Sequence, residues 1–293
     1  MNNTKFRDDL ISVIIPAKNE GAGLSQIIPR LRQVCPHAEI IVVNDGSSDN
    51  TKDACRAHDV RVVTHPYSMG NGAAIKSGAR SATGDILVFM DADGQHNPDD
   101  IPRLISKYNE GYDMVVGARH SSSQASLGRS YANRIYNRLA SWMVGRRIDD
   151  LTSGFRVATA AKFREFIYLL PNGFSYPTTI TMSFFRAGYP IAYLPIHAGN
   201  RQGASHINPV HDGLRFLLII FKIGTLYSPL KIFLPISLTF FTTGLGYYVY
   251  TYVAEHRFTN MSGLLFTTSV IVFLIGLVSE QITNLLYSGS RKN

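Results

Sequence analysis

The sequence predicts an α/β domain with a mostly parallel sheet, followed by an interfacial helix and a two-helix membrane hairpin. Three observations lead there. From residue 10 to 117, short β-branched apolar runs alternate with helix-like stretches at crossover spacing. The apolar runs end in polar loops rich in Asp, Asn and Gly. Two long uncharged runs then close the chain, 23 residues at 232–254 and 22 residues at 258–279, each able to cross a hydrocarbon core of roughly 30 Å.

Taken in order, residues 10–16 (LISVIIP) read as a central strand buried on both faces. A polar loop (AKNEG) follows, then a helix at 23–34 with Leu24, Ile27, Ile28 and Leu31 on one face. Residues 39–43 (EIIVV) form a second strand, ending in the turn NDGSSD, whose last residues can cap a helix to about His58. A third strand spans 60–64, and Gly70-Asn71-Gly72 opens a helix to about Ala82. A fourth strand spans 85–90. After it come Asp91, Asp93 and Gln95, then Asn97 and Pro98 as cap and first residue of a helix over 98–110. A further strand covers 113–117.

Beyond it, 127–144 is an amphipathic helix whose apolar stripe is Leu127, Tyr131, Ile135, Leu139 and Trp142. Residues 149–156 form a turn-rich loop, 159–170 and 178–187 are helices, and 191–196 is a strand. Residues 199–208 (GNRQGASHIN) form a glycine-rich basic loop. Residues 210–227 are apolar but carry Asp212, Arg215 and Lys222, the pattern of a helix lying in a membrane interface. The domains are therefore 1–208, 209–228 and 229–293, with spans at about 232–254 and 260–282.

Net charge is +8 and charged residues make up 17% of the chain. Arg215, Lys222, Lys231, Arg291 and Lys292 flank the hairpin, whereas its link carries only Arg257 beside Glu255. That asymmetry places the main domain and both termini in the cytoplasm, on a multi-pass protein of the cell membrane. The polar start MNNTKFRDD shows no signal peptide. No basic stripe interleaved with aromatics is present, which argues against nucleic acid. Cys35 and Cys55 lack metal-ligand spacing and fit a reducing compartment.

In parallel sheets, ligands sit beyond the carboxyl ends of the strands. Asn19, Glu20, Asp45, Asp91 and Asp93 therefore converge on one rim. Two carboxylates at a strand tip call for a cation, and Mg²⁺ takes one or two carboxylates and completes its shell with water and phosphates.

The motifs IPAKNE, VVNDGSSDNT, GNGAAIKSGA and DADGQH, in this order, resemble glycosyltransferase family 2, with its GT-A fold and nucleotide-sugar donors. GAR at 117–119, TSGFR at 152–156, RQGASH at 201–206 and the hairpin extend the likeness to the polyprenyl-phosphate glycosyltransferases. The resemblance implies donor contacts from Pro16, Ala17, Asn19, Glu20, Asp45, Gly70, Asn71, Asp91, Ala92, Asp93 and Arg201. It implies a Mg²⁺ or Mn²⁺ site at Asp91, Asp93 and Gln95. It puts the acceptor lipid phosphate at Arg119 and Arg129, with Asn133, Ser153 and Ser205 also on the acceptor side. Catalysis would rest on Asp91, Asp93, Arg119, Arg129 and Arg201. The implied reaction is inverting hexose transfer from a nucleotide sugar to undecaprenyl or dolichyl phosphate.

A UDP-linked donor and GDP-mannose both fit the motifs, the first preferred from the two-span pattern. Lys18 stands where many relatives carry an aromatic residue, and His206 where the loop pattern usually has Lys. Two other readings are a polysaccharide synthase, opposed by only two spans, and a non-catalytic nucleotide-sugar-binding membrane protein. A homo-oligomer is compatible with either enzyme.

Overall fold

The computed structural model describes residues 10–58, 60–119, 127–173, 175–197, 221, 224–225 and 227–288; within 127–133 it describes the backbone alone. The chain divides into two compact units, Met1–Ile207 and Asn208–Asn293.

The first unit is a three-layer α/β sandwich. Its strands are β1 (Ile11–Ala17), β2 (Glu39–Asn44), β3 (Arg61–Thr64), β4 (Ile86–Phe89), β5 (Met114–Arg119), β6 (Arg156–Thr159) and β7 (Ile191–Ile196). They form one sheet in the order β3-β2-β1-β4-β6-β5-β7. Pairings are parallel except those of β6, which runs antiparallel between β4 and β5. The sheet is thus mostly parallel, as expected. The strand β6 was not expected, because the 149–156 stretch reads as a loop and only four residues, RVAT, pair. Its first residue is a fully buried arginine, Arg156, which no hydropathy pattern assigns to a sheet interior.

Alternate residues of β1 face opposite layers. Ile11, Val13 and Ile15 share a core with Leu24, Ile28 and Leu31 of α1 (Gly21–Val34), Cys55 of α2 (Thr51–Ala57), and Ile101, Leu104 and Ile105 of α4 (Ile101–Tyr108). On the other face Ile14 meets α3 (Asn71–Ser81). On that face too, Phe89 packs on Phe163 of α6 (Ala160–Arg164) with ring centroids 4.5 Å apart, and on Tyr176 of α7 (Tyr176–Ala187) at 6.5 Å. Both faces being covered, each strand is a continuous apolar run. The helix expected over 159–170 breaks into α6 and a 3-10 turn at Ile167–Leu169.

The 127–144 helix forms as α5 (Leu127–Val144), but its inward face differs from the expected stripe. Ile135 is 44% exposed and Trp142 52%, whereas Tyr136, Ala140 and Met143 are buried. Both sets have helical spacing. What selects the second is α7: the Tyr136 hydroxyl donates to Thr178 Oγ1 at 3.1 Å, so the phenol is buried without losing its hydrogen bond. The contributions of Leu127 and Tyr131 lie outside the described side chains.

The second unit contains α8 (Pro229–Glu255) and α9 (Asn260–Ser288), an antiparallel pair. In the expected 210–227 helix, the described residues Phe221, Gly224, Thr225 and Tyr227 are helical; the others lie outside the described residues. The residues buried between α8 and α9 are small: Ser237, Gly244 and Thr251 face Ser262, Ser269, Gly276 and Thr283, each seven apart. The hydroxyl of Ser237 donates to the Ser269 carbonyl, and that of Ser269 to the Ser237 carbonyl, both at 2.9 Å. Large apolar side chains point outward, Leu264 at 60% and Leu285 at 72% exposure. A water-soluble hairpin would bury those and expose the serines. Small residues at a close helix seam with an apolar exterior suit lipid. Exposed Tyr247, Tyr250, Tyr252 and Phe258 gather at the linking end, as an interfacial aromatic belt does. Both helices are long and apolar enough to cross a membrane.

Candidate functional site

Strand order reverses between β1 and β4: β1 leads to β2 on one side, and the chain returns to β4 on the other. Ligands of open α/β sheets enter the crevice at such a point, beyond the strand ends. The loops after β1, β2 and β4 meet here.

The first two loops are tied together by their own polar groups. The Asn19 amide donates to Ser47 Oγ at 3.0 Å, and Asn19 Oδ1 accepts from the Ser48 amide at 2.9 Å. The amide of Glu20 donates to Thr51 Oγ1 and that of Gly21 to Asp49 Oδ2, each at 3.1 Å. Pro16 and Ala17 close β1 beneath them. Asp45 is buried rather than displayed at the rim. Its carboxylate accepts from His65 Nδ1 (2.7 Å), the Ser68 hydroxyl (2.8 Å) and the amides of Met69 (2.7 Å) and Gly70 (2.9 Å). Burial alone would raise its pKa, but these donors together hold it below the usual carboxylate value. Asp45 therefore shapes the 65–70 loop. At the start of α3, the amides of Gly72 and Ala73 donate to the carbonyls of Gly173 (3.2 Å) and Asn172 (2.9 Å). Those donors are thus engaged within the fold, and exposed Asn71 sits beside them.

The β4 loop is a tight turn. Gly94 has φ +76, and Asp93 Oδ1 accepts from the Gln95 amide at 3.1 Å. The Asp91 amide donates to His96 Nδ1 at 3.0 Å, and the His96 ring stacks on Phe155 with centroids 5.0 Å apart. Burial lowers the His96 pKa, and an Nδ1 that accepts from an amide places the ring proton on Nε2. Ala92 is buried, and α1 approaches its carbonyl so closely that a Cβ on Gly23 would lie 2.1 Å from that oxygen. The Asp91 side chain keeps 34% of its surface exposed and so opens onto solvent just beyond the end of β4. Burial there raises its pKa, His96 opposes the rise and Asp93 adds to it. A carboxylate whose charge is disfavoured by burial and by a second carboxylate beside it is a fitting seat for a divalent cation. Among the described residues no cluster of three His, Cys, Asp or Glu makes an all-protein cage. A Mg²⁺-type ion that draws the rest of its shell from water and phosphate needs none.

Opposite this loop stands Arg119, expected on the acceptor side, with a partner that sequence reading missed, Asp150. Arg119, at the end of β5, donates Nε and Nη2 to the two oxygens of Asp150 at 2.8 and 3.0 Å, and Nη2 also reaches Thr152 Oγ1 at 2.6 Å. The Asp150 pKa would rise on burial, but Arg119 and the amides of Arg119 and Thr152 pull it down. The charge of Arg119 is felt at Asp91, so β5 and the β4 loop share one electrostatic site. Ser153 does not face outward: its hydroxyl, fully buried, donates to the Gly117 carbonyl at 2.6 Å. Arg156 opens β6 three residues on and is fully buried. The charged run at Asp149-Asp150 was the available signal for this group, but nothing in it named Arg119 as the partner. Arg129 and Asn133 lie on α5 with side chains outside the described residues, and Arg201, Ser205 and His206 also fall outside them.

Comparison with known proteins identifies the family and the fold. Residues 12–169 match the model of glycosyl transferase family 2, and residues 228–285 match that of the GtrB C-terminal hairpin. Glycosyltransferase AglJ of Haloferax volcanii is 26% identical over 293 residues, covering 94% of this chain and 95% of that protein. Two solved structures of glucosyl-3-phosphoglycerate synthase from Mycobacterium tuberculosis share the fold. The complex with Mn²⁺, UDP and glucosyl-3-phosphoglycerate superposes with a TM-score of 0.58 at 22% identity, covering 73% of this chain and 77% of that one. The complex with Mn²⁺, UDP-glucose and phosphoglyceric acid gives 0.59 at 22% identity, covering 73% and 78%. With the GT-A sheet, the acidic β4 loop at its switch point and a hairpin of matching type in one chain, this protein belongs to glycosyl transferase family 2.

Proposed function

We propose that the chain transfers a hexose, with inversion, from a UDP-linked donor to polyprenyl phosphate at the cytoplasmic face of the membrane, using Mg²⁺ or Mn²⁺. The observation that carries this reading is the union, in one chain, of the Asp91–Asp93 loop at the switch point with a GtrB-type hairpin. A lipid-linked acceptor explains why a sugar-transfer domain is tied to apolar helices. The donor class is supported by the UDP-glucose complex of a structural relative. Asp91, Asp93 and Gln95 would hold the metal, which supplies charge stabilisation for the leaving diphosphate. Pro16, Ala17, Asn19, Glu20 and Ala92 line the donor crevice.

A phosphate monoester is largely dianionic at neutral pH, its second pKa being about 6, so its oxygen attacks without a strong general base. The harder problem is bringing two anions together. Arg119 offsets the acceptor phosphate, assisted by Arg129, Asn133 and Ser205 from segments of family-like sequence, while Arg201 offsets the diphosphate. Asp150 holds the Nε and Nη2 edge of Arg119, and among the described residues Nη1 has no hydrogen-bond partner. The guanidinium is thereby oriented before the phosphate arrives, which is how positioning raises the rate of a displacement. Ser153 acts by fixing the loop beside it.

Purified protein should form a polyprenyl-phosphate-hexose, detected by product mass, from a panel of UDP- and GDP-sugars with undecaprenyl and dolichyl phosphate. Asp93→Ala should abolish product, and near-wild-type turnover in that variant contradicts the metal assignment. Product from GDP-mannose alone would replace the donor named here.

A further inference from the structure

We propose that Gly154 and Arg156 are positioning residues for the metal loop: Gly154 sets where the Asp91 carboxylate lies, and Arg156 holds Gly154 in place. This rests on the metal reading above and goes beyond it, since neither residue is a ligand or a donor contact.

The geometry begins at Gly154. A Cβ built there would lie 2.8 Å from Asp91 Oδ2 and 3.4 Å from both Asp91 Cγ and Oδ1, and it would meet nothing else as near. Its φ is not positive, so the backbone accepts alanine and only the carboxylate objects. The absence of a side chain is therefore what lets Asp91 turn as it does. The peptide around Gly154 is fixed on every side. Ser153 donates its hydroxyl to Gly117 of β5. The Tyr176 hydroxyl donates to the Gly154 carbonyl at 3.3 Å. Phe155 stacks on His96, which accepts the Asp91 amide. One wall thus touches the backbone and the side chain of Asp91 together.

Arg156 ties this wall to the far layer. It is fully buried. Nη2 donates to the Ser153 carbonyl, Nη1 donates to the Pro177 carbonyl at 3.0 Å and to Thr181 Oγ1 at 3.2 Å, and the guanidinium lies 5.7 Å from the Tyr176 ring centroid. Nε has no partner among the described residues. A buried cation whose hydrogen bonds go only to neutral oxygens and the Met114 thioether is costly, and an apolar side chain would fill the space at less expense. Its planar fork, spanning Ser153 and α7 at once, is what an apolar residue cannot reproduce.

The test is Mn²⁺ binding to the full chain in detergent, alone and with UDP, followed by electron paramagnetic resonance. Gly154→Ala should weaken Mn²⁺ binding about tenfold or more, the equivalent of 1.4 kcal/mol, and Arg156→Lys should weaken it in the same direction. Because Asp91→Gly itself removes a metal contact, that background is read by its unfolding midpoint: Gly154→Ala should lower the midpoint when Asp91 is present and leave it unchanged when the obstructing carboxylate is gone. Should Gly154→Ala alone unfold the chain, adding Asp91→Gly should restore folding. Wild-type-like Mn²⁺ binding by Gly154→Ala, an additive effect with Asp91→Gly, or failure of that rescue overturns the inference while leaving the metal site standing. A wild-type chain that binds no Mn²⁺ with UDP overturns both.

Discussion

Asp150→Asn is the most informative single change, because Asp150 organises one side of the site through one carboxylate. Its side chain is 6% exposed and that of Arg119 25%. Asparagine keeps the shape and can keep Oδ1 as acceptor for the amides of Thr152 and Ser153, at 3.0 and 3.1 Å in the wild type. It turns an NH₂ group toward Arg119, whose Nε and amide both donate to Oδ2. The variant loses the charge on a paired buried cation and places donor against donor. Breaking a buried pair costs about 3–5 kcal/mol. Since a quarter of Arg119 remains exposed and can rehydrate, the expected loss is about 3 kcal/mol, at the lower end of that range. The only tryptophan, Trp142, sits on α5. That helix also grips the Asp150 loop through Asn137, which donates to the Asp149 carbonyl at 2.7 Å and accepts from the Leu151 amide at 3.1 Å. Trp142 fluorescence thus reports unfolding of this unit alone. At about 2–4 °C per kcal/mol for a unit of this size, the midpoint should fall roughly 6–12 °C. The apparent KM for the lipid phosphate should rise more than that for the nucleotide sugar. A stability change below about 1 kcal/mol, the range of exposed pairs, would show that this pair is not buried and does not pre-orient Arg119.

Other outcomes follow from the same geometry. The carboxyl groups of Asp45 and Asp150 are held below their ordinary values. Their stabilisation is complete above the unfolded Asp pKa of about 3.9 and is lost as pH falls through the lower folded values. The Trp142 midpoint should drop below about pH 4, and less steeply in Asp150→Asn; equal slopes count against a depressed Asp150. In the hairpin, Gly276→Leu should force α8 and α9 apart, since a Cβ there would lie 2.7 Å from Phe233 Cβ. Disulfide cross-linking between Ser237→Cys and Ser269→Cys should then fall sharply, and an unchanged yield contradicts the seam. His96→Ala removes the acceptor for the buried Asp91 amide and should cost about 1–3 kcal/mol of stability; loss of transfer with stability intact would mean that His96 acts on substrate directly.

Much of the fold was legible because its signals are local. The apolar runs of β1 and β2 and the Asn97–Pro98 helix start each announce themselves within a few residues. The hairpin was visible from the absence of charge. What was hidden depends on distant partners. The inward face of α5 is decided by Thr178, so Tyr136 and Ile135 could not be ranked from sequence. Strand β6 needs β4 and β5 on either side before an arginine-led tetrapeptide pairs. At the site, Asp91, Asp93 and Gln95 stand together in the chain, but Arg119 and Asp150 are 31 positions apart and meet only across the sheet end. Asp45 shows the reverse difficulty. Its position at the end of β2 put it on the rim of the crevice, and only the 65–70 loop folded over it shows how its oxygens are used.

The proposed function is metal-dependent sugar transfer to a lipid phosphate. Its most direct test is to incubate the purified full chain with Mn²⁺, UDP-hexose and undecaprenyl phosphate, then determine product mass, with parallel reactions containing a chelator or the Asp93→Ala variant. The expected result is one hexose added to the lipid phosphate, UDP released in equal amount, and neither product in the chelated or Asp93→Ala reactions. UDP released without any sugar on the lipid, or full transfer in the presence of chelator, would contradict it.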